Sequence, residues 1–154
     1  MLLRETKISG QKMEEIVNKI KPSYAQVTID VKGSAGGIVV LWNPAEVIID
    51  WWIGMPRILT GKFRLIGQSE WFLVSAVYGP HTPVDQGSFL THMQNLGNMH
   101  QEQMWIIAGD FNMTNSKEEK KGGMQIEDLE MERFRDLQME LRMVYILTIN
   151  GKFT

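Results

Sequence analysis

The stretch that most constrains the fold is residues 104–112, Met-Trp-Ile-Ile-Ala-Gly-Asp-Phe-Asn. An apolar run without polar alternation predicts a strand covered on both faces, as at the centre of a sheet. Because side chains alternate along an extended chain, Asp110 and Asn112 are expected on one side, where they can converge on a ligand. A carboxylate at the mouth of a dry sheet is costly unless a divalent cation or an activated water uses it. Asp and Asn are also common turn formers after a strand, so this stretch alone leaves both interpretations open.

Composition narrows the class of protein. A length of 154 residues suits one domain with its own core. The chain has no cysteine, which excludes disulfides and thiolate metal sites, so any metal must be held by oxygen or histidine ligands. The formal charge of −2 gives no bulk attraction to nucleic acid.

Targeting signals are not evident in the sequence. Asp50 interrupts the most apolar window, and the opening residues become charged too early for a signal peptide. We therefore expect no membrane span and an intracellular protein, nuclear or cytoplasmic.

Hydrophobic periodicity predicts helices and strands in a mixed order. The predicted helices cover residues 10–21, 88–99 and 126–141. The first predicted strand ends at Glu5. The other predicted strands cover residues 24–31, 38–42, 46–53, 58–66, 71–78, 104–112 and 144–147. Short turns within residues 46–78 favour an antiparallel meander. Without an internal repeat or a linker, we expect one α+β domain over residues 1–154, with two sheets faced by helices.

Four short motifs occur in a characteristic order. They are Leu3-Arg4-Glu5-Thr6-Lys7, Ser34-Ala35-Gly36-Gly37-Ile38, Val77-Tyr78-Gly79-Pro80 and Gly109-Asp110-Phe111-Asn112. Together they resemble the motifs of the endonuclease/exonuclease/phosphatase (DNase I-like) superfamily, although any one alone would be a weak signal. Within it, the chain looks most like the endonuclease domain of plant LINE-type (non-LTR) retrotransposons. Residues 121–123, 131–134 and 149–154 match that domain too, so the resemblance covers essentially the whole chain.

The resemblance implies a four-layer αββα sandwich and magnesium- or manganese-dependent hydrolysis of phosphodiesters, here the nicking of DNA by an activated water. Glu5 would be the metal ligand, because hard oxygen donors suit magnesium. Tyr78 would reach the phosphate through its hydroxyl, and Asp110 would orient or deprotonate the attacking water. Asn112 would hydrogen-bond a phosphate oxygen. His81 would be substrate-binding, since relatives often carry there an Asn that touches the substrate backbone.

Two departures from the family pattern bear on activity. The family places an Asn on a strand ahead of Glu5, and it needs an Asp-His pair near its C-terminus, yet this chain contains neither. The resemblance therefore implies an incomplete domain, lacking its first strand and its C-terminal strands. Because members of such a constellation act as a unit, we expect this form to be inactive.

Other interpretations of the same residues stay open. Glu5 can be an ordinary charge at a strand end, Tyr78 a packed aromatic with a wet hydroxyl, and residues 34–37 only a turn. The acidic balance would suit a phosphoinositide or sphingolipid phosphatase of the same fold better than a nuclease. A non-catalytic remnant that serves as an interaction surface is the third alternative. DNA is the partner implied by the resemblance, and the sequence leaves the oligomeric state open.

Overall fold

A computed structural model describes residues 1–4, 10–30, 37–113, 128–144 and 146. The strands are β1 (Leu2–Arg4), β2 (Ala25–Ile29), β3 (Ile38–Trp42), β4 (Val47–Met55), β5 (Ile58–Leu65), β6 (Phe72–Tyr78) and β7 (Met104–Asp110). The helices are α1 (Gly10–Ile20), α2 (Pro83–Met99) and α3 (Asp128–Glu140). These elements confirm the predicted helices and most of the predicted strands. Among the helices so described, none is long and apolar enough to span a membrane.

The chain divides into two compact units. The first contains Met1–Gly79 and Glu102–Phe111, and the second contains Pro80–Gln101 and Asn112–Thr154. All seven described strands lie in the first unit, which also contains α1, whereas α2 and α3 lie in the second.

The first unit contains two sheets. One has the strand order β1-β3-β2 and the other β4-β5-β6-β7. The β4-β5-β6 part is the antiparallel meander that the short turns predict. In contrast, β7 pairs with β6 in parallel, which requires a long connection between them, and residues 79–103 supply it.

Apolar side chains on both faces of β3 build the core of this unit. Ile38 packs between the sheets against Leu59 and Tyr78. The next residue along the strand, Val39, packs on the opposite face against Met13 and other residues of a cluster that includes the buried face of α1. This double burial explains the continuous apolar sequence of β3. The first unit is thus layered as helix, sheet and sheet.

In the second unit, α2 begins earlier than the apolar pattern indicates. Thr82 is its N-cap, and the Thr82 side chain accepts a hydrogen bond from the Asp85 backbone N–H at 3.4 Å. Pro83 follows the cap, where its missing N–H has no cost. The predicted helix began at residue 88 because the prediction used apolar residues at helical spacing. The first turn of α2 instead carries the N-capping residues. Between the helices, Gln94 donates to both carboxylate oxygens of Glu140 at 2.8 Å.

The prediction that residues 104–112 form a central strand buried on both faces is wrong. In the part of the chain that the structure describes, β7 has one neighbour, β6, and lies at the edge of its sheet. Met104 is 65% exposed and Ile106 is 40% exposed. An apolar run shows that its side chains can be buried. Whether a strand has a second neighbouring strand depends on the strand order of the sheet.

The predicted strand at residues 144–147 is also not observed where it can be checked. Val144 and Ile146 are not in a strand and are 88% and 86% exposed. Residues 145 and 147–154 lie outside the described residues, as do residues 34–36 of the predicted turn at residues 34–37. The polar, Lys-rich residues 115–123, which the sequence predicts to be a loop, lie entirely outside them as well.

Candidate functional site

Tyr78 and Asp110 are the last residues of β6 and β7, and they are register partners in the parallel pairing. Because parallel strands end at the same edge of a sheet, both side chains lie at that edge. Register partners also share a face, and adjacent strands are about 4.8 Å apart. Tyr78 packs in the cluster between the two sheets, so the Asp110 side chain also leaves its strand on the face that Tyr78 occupies.

Two glycines allow the ends of β6 and β7 to approach each other closely. The Gly79 backbone N–H donates to the carbonyl oxygen of Asp110 at 2.6 Å. A Cβ atom on Gly79 would overlap the carbonyl of Phe111, and one on Gly109 would overlap the carbonyl oxygen of Val77. Gly109 also has φ of 144°, a backbone conformation that side chains disfavour. The glycines of the two motifs are therefore packing requirements of one junction.

Arg57 lies beside Tyr78. The Tyr78 ring is buried, with 4% of the residue exposed, and the guanidinium carbon of Arg57 is 5.9 Å from the ring centroid. The Tyr78 backbone N–H donates to the Arg57 carbonyl oxygen at 3.0 Å. Arg57 has φ of 68°, a left-handed conformation that is uncommon for residues other than glycine. The edge that carries Tyr78 and Asp110 thus also carries a guanidinium.

Arg57 is not among the site residues that the sequence predicts. Its position follows from the two-residue turn between β4 and β5 and from the pairing of Ile58 with Val77. The turn was visible in the sequence, whereas the pairing was not.

The remaining predicted site residues are placed less directly. Asn112 has φ of 51° and follows the end of β7, so the extended alternation used to align it with Asp110 stops before it. His81 is exposed and directly precedes the N-cap of α2. Both belong to the second unit, and their convergence with Tyr78 and Asp110 stays a prediction. Glu5 lies outside the described residues.

A magnesium ion at this edge of the sheet would need oxygen donors. Asp110 offers carboxylate oxygens at the end of β7, which is the donor type that magnesium prefers. Within the described ranges, no three His, Asp or Glu residues lie close enough together to hold an ion. A site that includes Asp110 would therefore need further donors from outside the described residues, where the predicted ligand Glu5 lies.

Comparison with known proteins identifies the fold. No protein-family model matches the chain, and no curated protein does. The human Nocturnin catalytic domain with bound sulfate matches with a TM-score of 0.57 and 14% identity, over 76% of this chain and 52% of that one. An endonuclease/exonuclease/phosphatase family protein from Bacteroides thetaiotaomicron matches with a TM-score of 0.51 and 14% identity, over 64% of this chain and 44% of that one. D. rerio TDP2 complexed with a single-strand DNA product matches with a TM-score of 0.52 and 15% identity, over 73% of this chain and 47% of that one.

The chain has the endonuclease/exonuclease/phosphatase fold. This confirms the predicted α+β, DNase I-like fold class. The chain spans about half the length of the solved structures it matches. At these identities the likeness concerns the fold alone.

Proposed function

We propose that this chain is a magnesium-dependent endonuclease-like domain of retroelement origin, built to hydrolyse phosphodiester bonds of DNA. The observation that carries the proposal is the pairing of Tyr78 with Asp110 at one edge of the sheet, on the side that faces the inter-sheet core. The same edge holds Arg57 within 5.9 Å of the Tyr78 ring. An acid, a phenol and a guanidinium together suit a phosphate ester and the water that attacks it.

Each proposed site residue has one role. Glu5 would hold the magnesium ion, which supplies charge neutralisation at the phosphate. Tyr78 donates its hydroxyl to a phosphate oxygen, and Asp110 orients the attacking water and accepts its proton. Asn112 donates its amide N–H to a phosphate oxygen, and His81 contacts the substrate backbone.

The choice of DNA has one further support. D. rerio TDP2, which shares the fold, has been solved with a single-strand DNA product. A phosphatase acting on phosphoinositides or sphingolipids would use the same phosphate contacts, so the two functions must be separated by the ligand.

Binding tests this proposal without requiring turnover. Fluorescence anisotropy of a labelled single-stranded oligonucleotide should show binding in magnesium that is lost in a chelator. Tyr78→Phe removes only the hydroxyl, so it should weaken that binding several-fold, by about 1 kcal/mol. Glu5→Gln should abolish the magnesium dependence.

Glu46→Gln is the matched control. It makes the same change at an exposed glutamate whose carboxylate accepts a hydrogen bond from Asn43 at 2.8 Å, and it should leave binding unchanged. Equal magnesium dependence in Glu5→Gln and in the unmodified chain would contradict the metal assignment. Binding of inositol phosphate in place of the oligonucleotide would favour the phosphatase.

A further inference from the structure

Arg57 occupies a backbone position that glycine would fill with less strain. The turn between β4 and β5 contains only Pro56 and Arg57. Proline fixes its own φ at about −65°, which excludes the mirror-image turns that usually join two antiparallel strands. A turn with proline first and a positive φ second, here the φ of 68° at Arg57, usually has glycine or asparagine at the second position. The chain therefore carries an arginine where its backbone conformation costs stability.

The side chain of this arginine lies on the Tyr78 ring. Arg57 is half-buried, and its guanidinium carbon is 5.9 Å from the ring centroid. The Tyr78 backbone N–H donates to the Arg57 carbonyl oxygen at 3.0 Å. Since Ile58 pairs with Val77 and Tyr78 pairs with Asp110, the residues Arg57, Tyr78 and Asp110 form one row across adjacent strand ends.

The order of this row separates the cation from the acid. Tyr78 lies between them, so the backbones of Arg57 and Asp110 are two strand spacings apart, about 10 Å. Between these two described residues there is no ion pair. The guanidinium is thus not neutralised by the acid of its own row. Its planar N–H groups match two oxygens of one phosphate, which an ammonium group cannot do.

We propose that Arg57 binds the substrate, its guanidinium donating hydrogen bonds to nonbridging oxygens of a phosphate beside Tyr78. This inference rests on the proposed function and adds to it a cationic phosphate contact that the protein itself supplies. The other role open to Arg57 is to cover the Tyr78 ring. That role would stabilise the fold and would not require a ligand, so the two roles differ in what they predict for variants.

Ionic strength separates a phosphate contact from a packing contact. Fluorescence anisotropy of the labelled single-stranded oligonucleotide, repeated over a range of sodium chloride at fixed magnesium, gives the slope of the logarithm of the binding constant against the logarithm of salt. Arg57→Gln should weaken binding several-fold and reduce the magnitude of this slope by about 0.7, the contribution of one phosphate contact on a single strand. Arg57→Lys keeps the charge and should retain the slope, with weaker binding because lysine lacks the planar fork.

Arg142→Gln is the matched control. Arg142 also has a left-handed backbone, with φ of 50°, but it is exposed and follows the end of α3, where such a conformation is common. The substitution removes the same charge and should leave both the affinity and the slope unchanged. An unchanged slope in Arg57→Gln, or an equal reduction in both variants, would overturn the inference and leave the proposed function intact.

Arg57→Gly separates binding from stability. Glycine adopts the left-handed conformation without strain, so the unfolding midpoint in urea should not fall, although binding should weaken as in Arg57→Gln. An arginine that only covers the Tyr78 ring predicts the reverse. A lower midpoint with unchanged binding would therefore overturn the inference.

Inorganic phosphate distinguishes failure of this inference from failure of the proposed function. If the unmodified chain does not bind the oligonucleotide, the DNA assignment fails, and isothermal titration calorimetry with inorganic phosphate tests Arg57 by itself. Phosphate binding that is several-fold weaker in Arg57→Gln would support the inference. Equal phosphate binding in the two chains, or none in either, would overturn it.

Discussion

Gly79 and Gly109 act at the scale of single residues, where two strand ends meet. The hydrogen bond from the Gly79 N–H to the Asp110 carbonyl is possible only because neither glycine carries a side chain at the contact. Asp110 and Tyr78 owe their adjacency to this junction. Close backbone packing is therefore sufficient to explain why both motifs contain a glycine at this junction.

Replacing Gly109 by alanine should destabilise the protein strongly. The new Cβ would overlap the Val77 carbonyl oxygen, and the positive φ would be strained, so we expect a loss of about 3 kcal/mol or more. Urea unfolding measures this loss. Gly87→Ala in α2 is the control: no atom lies within 4 Å of its Cβ position, and the change should stabilise by about 0.5–1 kcal/mol. An unaltered unfolding midpoint for Gly109→Ala would contradict the packing account.

At the scale of elements, a short polar chain ties three strands together. The hydroxyls of Thr60 on β5 and Ser75 on β6 are 2.7 Å apart, and the Trp105 indole N–H on β7 donates to the Ser75 hydroxyl at 2.8 Å. Thr60 and Ser75 are buried, so their polar groups depend on each other for partners. The edge strand β7 is thereby attached through a side chain as well as through its backbone.

Ser75→Ala should cost about 1–3 kcal/mol in the free energy of unfolding, because it leaves the Trp105 indole and the Thr60 hydroxyl without this partner. Thermal or urea unfolding measures the change. Adding Thr60→Val should restore part of the loss, since it removes one of the two stranded groups. Ser88→Ala, at an exposed helical position, should be close to neutral. A Ser75→Ala protein as stable as the original would show that the polar chain contributes nothing.

At the scale of the whole molecule, the composition of the site limits what this chain can do. Tyr78 and Asp110 are brought together, but the sequence contains no Asp-His pair to complete the set implied by the resemblance. Because residues of such a constellation act as a unit, we expect this chain to show little of the rate of a complete site.

Nicking of supercoiled DNA tests this limit. In magnesium, the purified 154-residue chain should nick no faster than its Asp110→Ala variant, and both should match a blank. Agarose gels run over a time course would resolve the difference. Robust nicking that depends on magnesium and disappears in Asp110→Ala would instead show that the chain is catalytically complete.

Local elements and the polar ends of two strands can be recognised from the amino-acid sequence alone. The periodicity of residues 10–21 predicted α1, and the short turns predicted the β4-β5-β6 meander. The motifs singled out Tyr78 and Asp110, which are register partners at the ends of β6 and β7. These features depend on neighbours in the chain, on turn chemistry or on resemblance, all of which can be recognised in a linear sequence.

Which strand lies at an edge, and which side chains meet across strands, follows from the three-dimensional fold and not from the sequence pattern. The exposure of β7 and the placement of Arg57 beside Tyr78 depend on strand order and register, which join residues far apart in the chain. The apolar sequence of residues 104–108 is compatible with either one or two neighbouring strands. The number of neighbours is set by long-range pairing, and no local pattern encodes it.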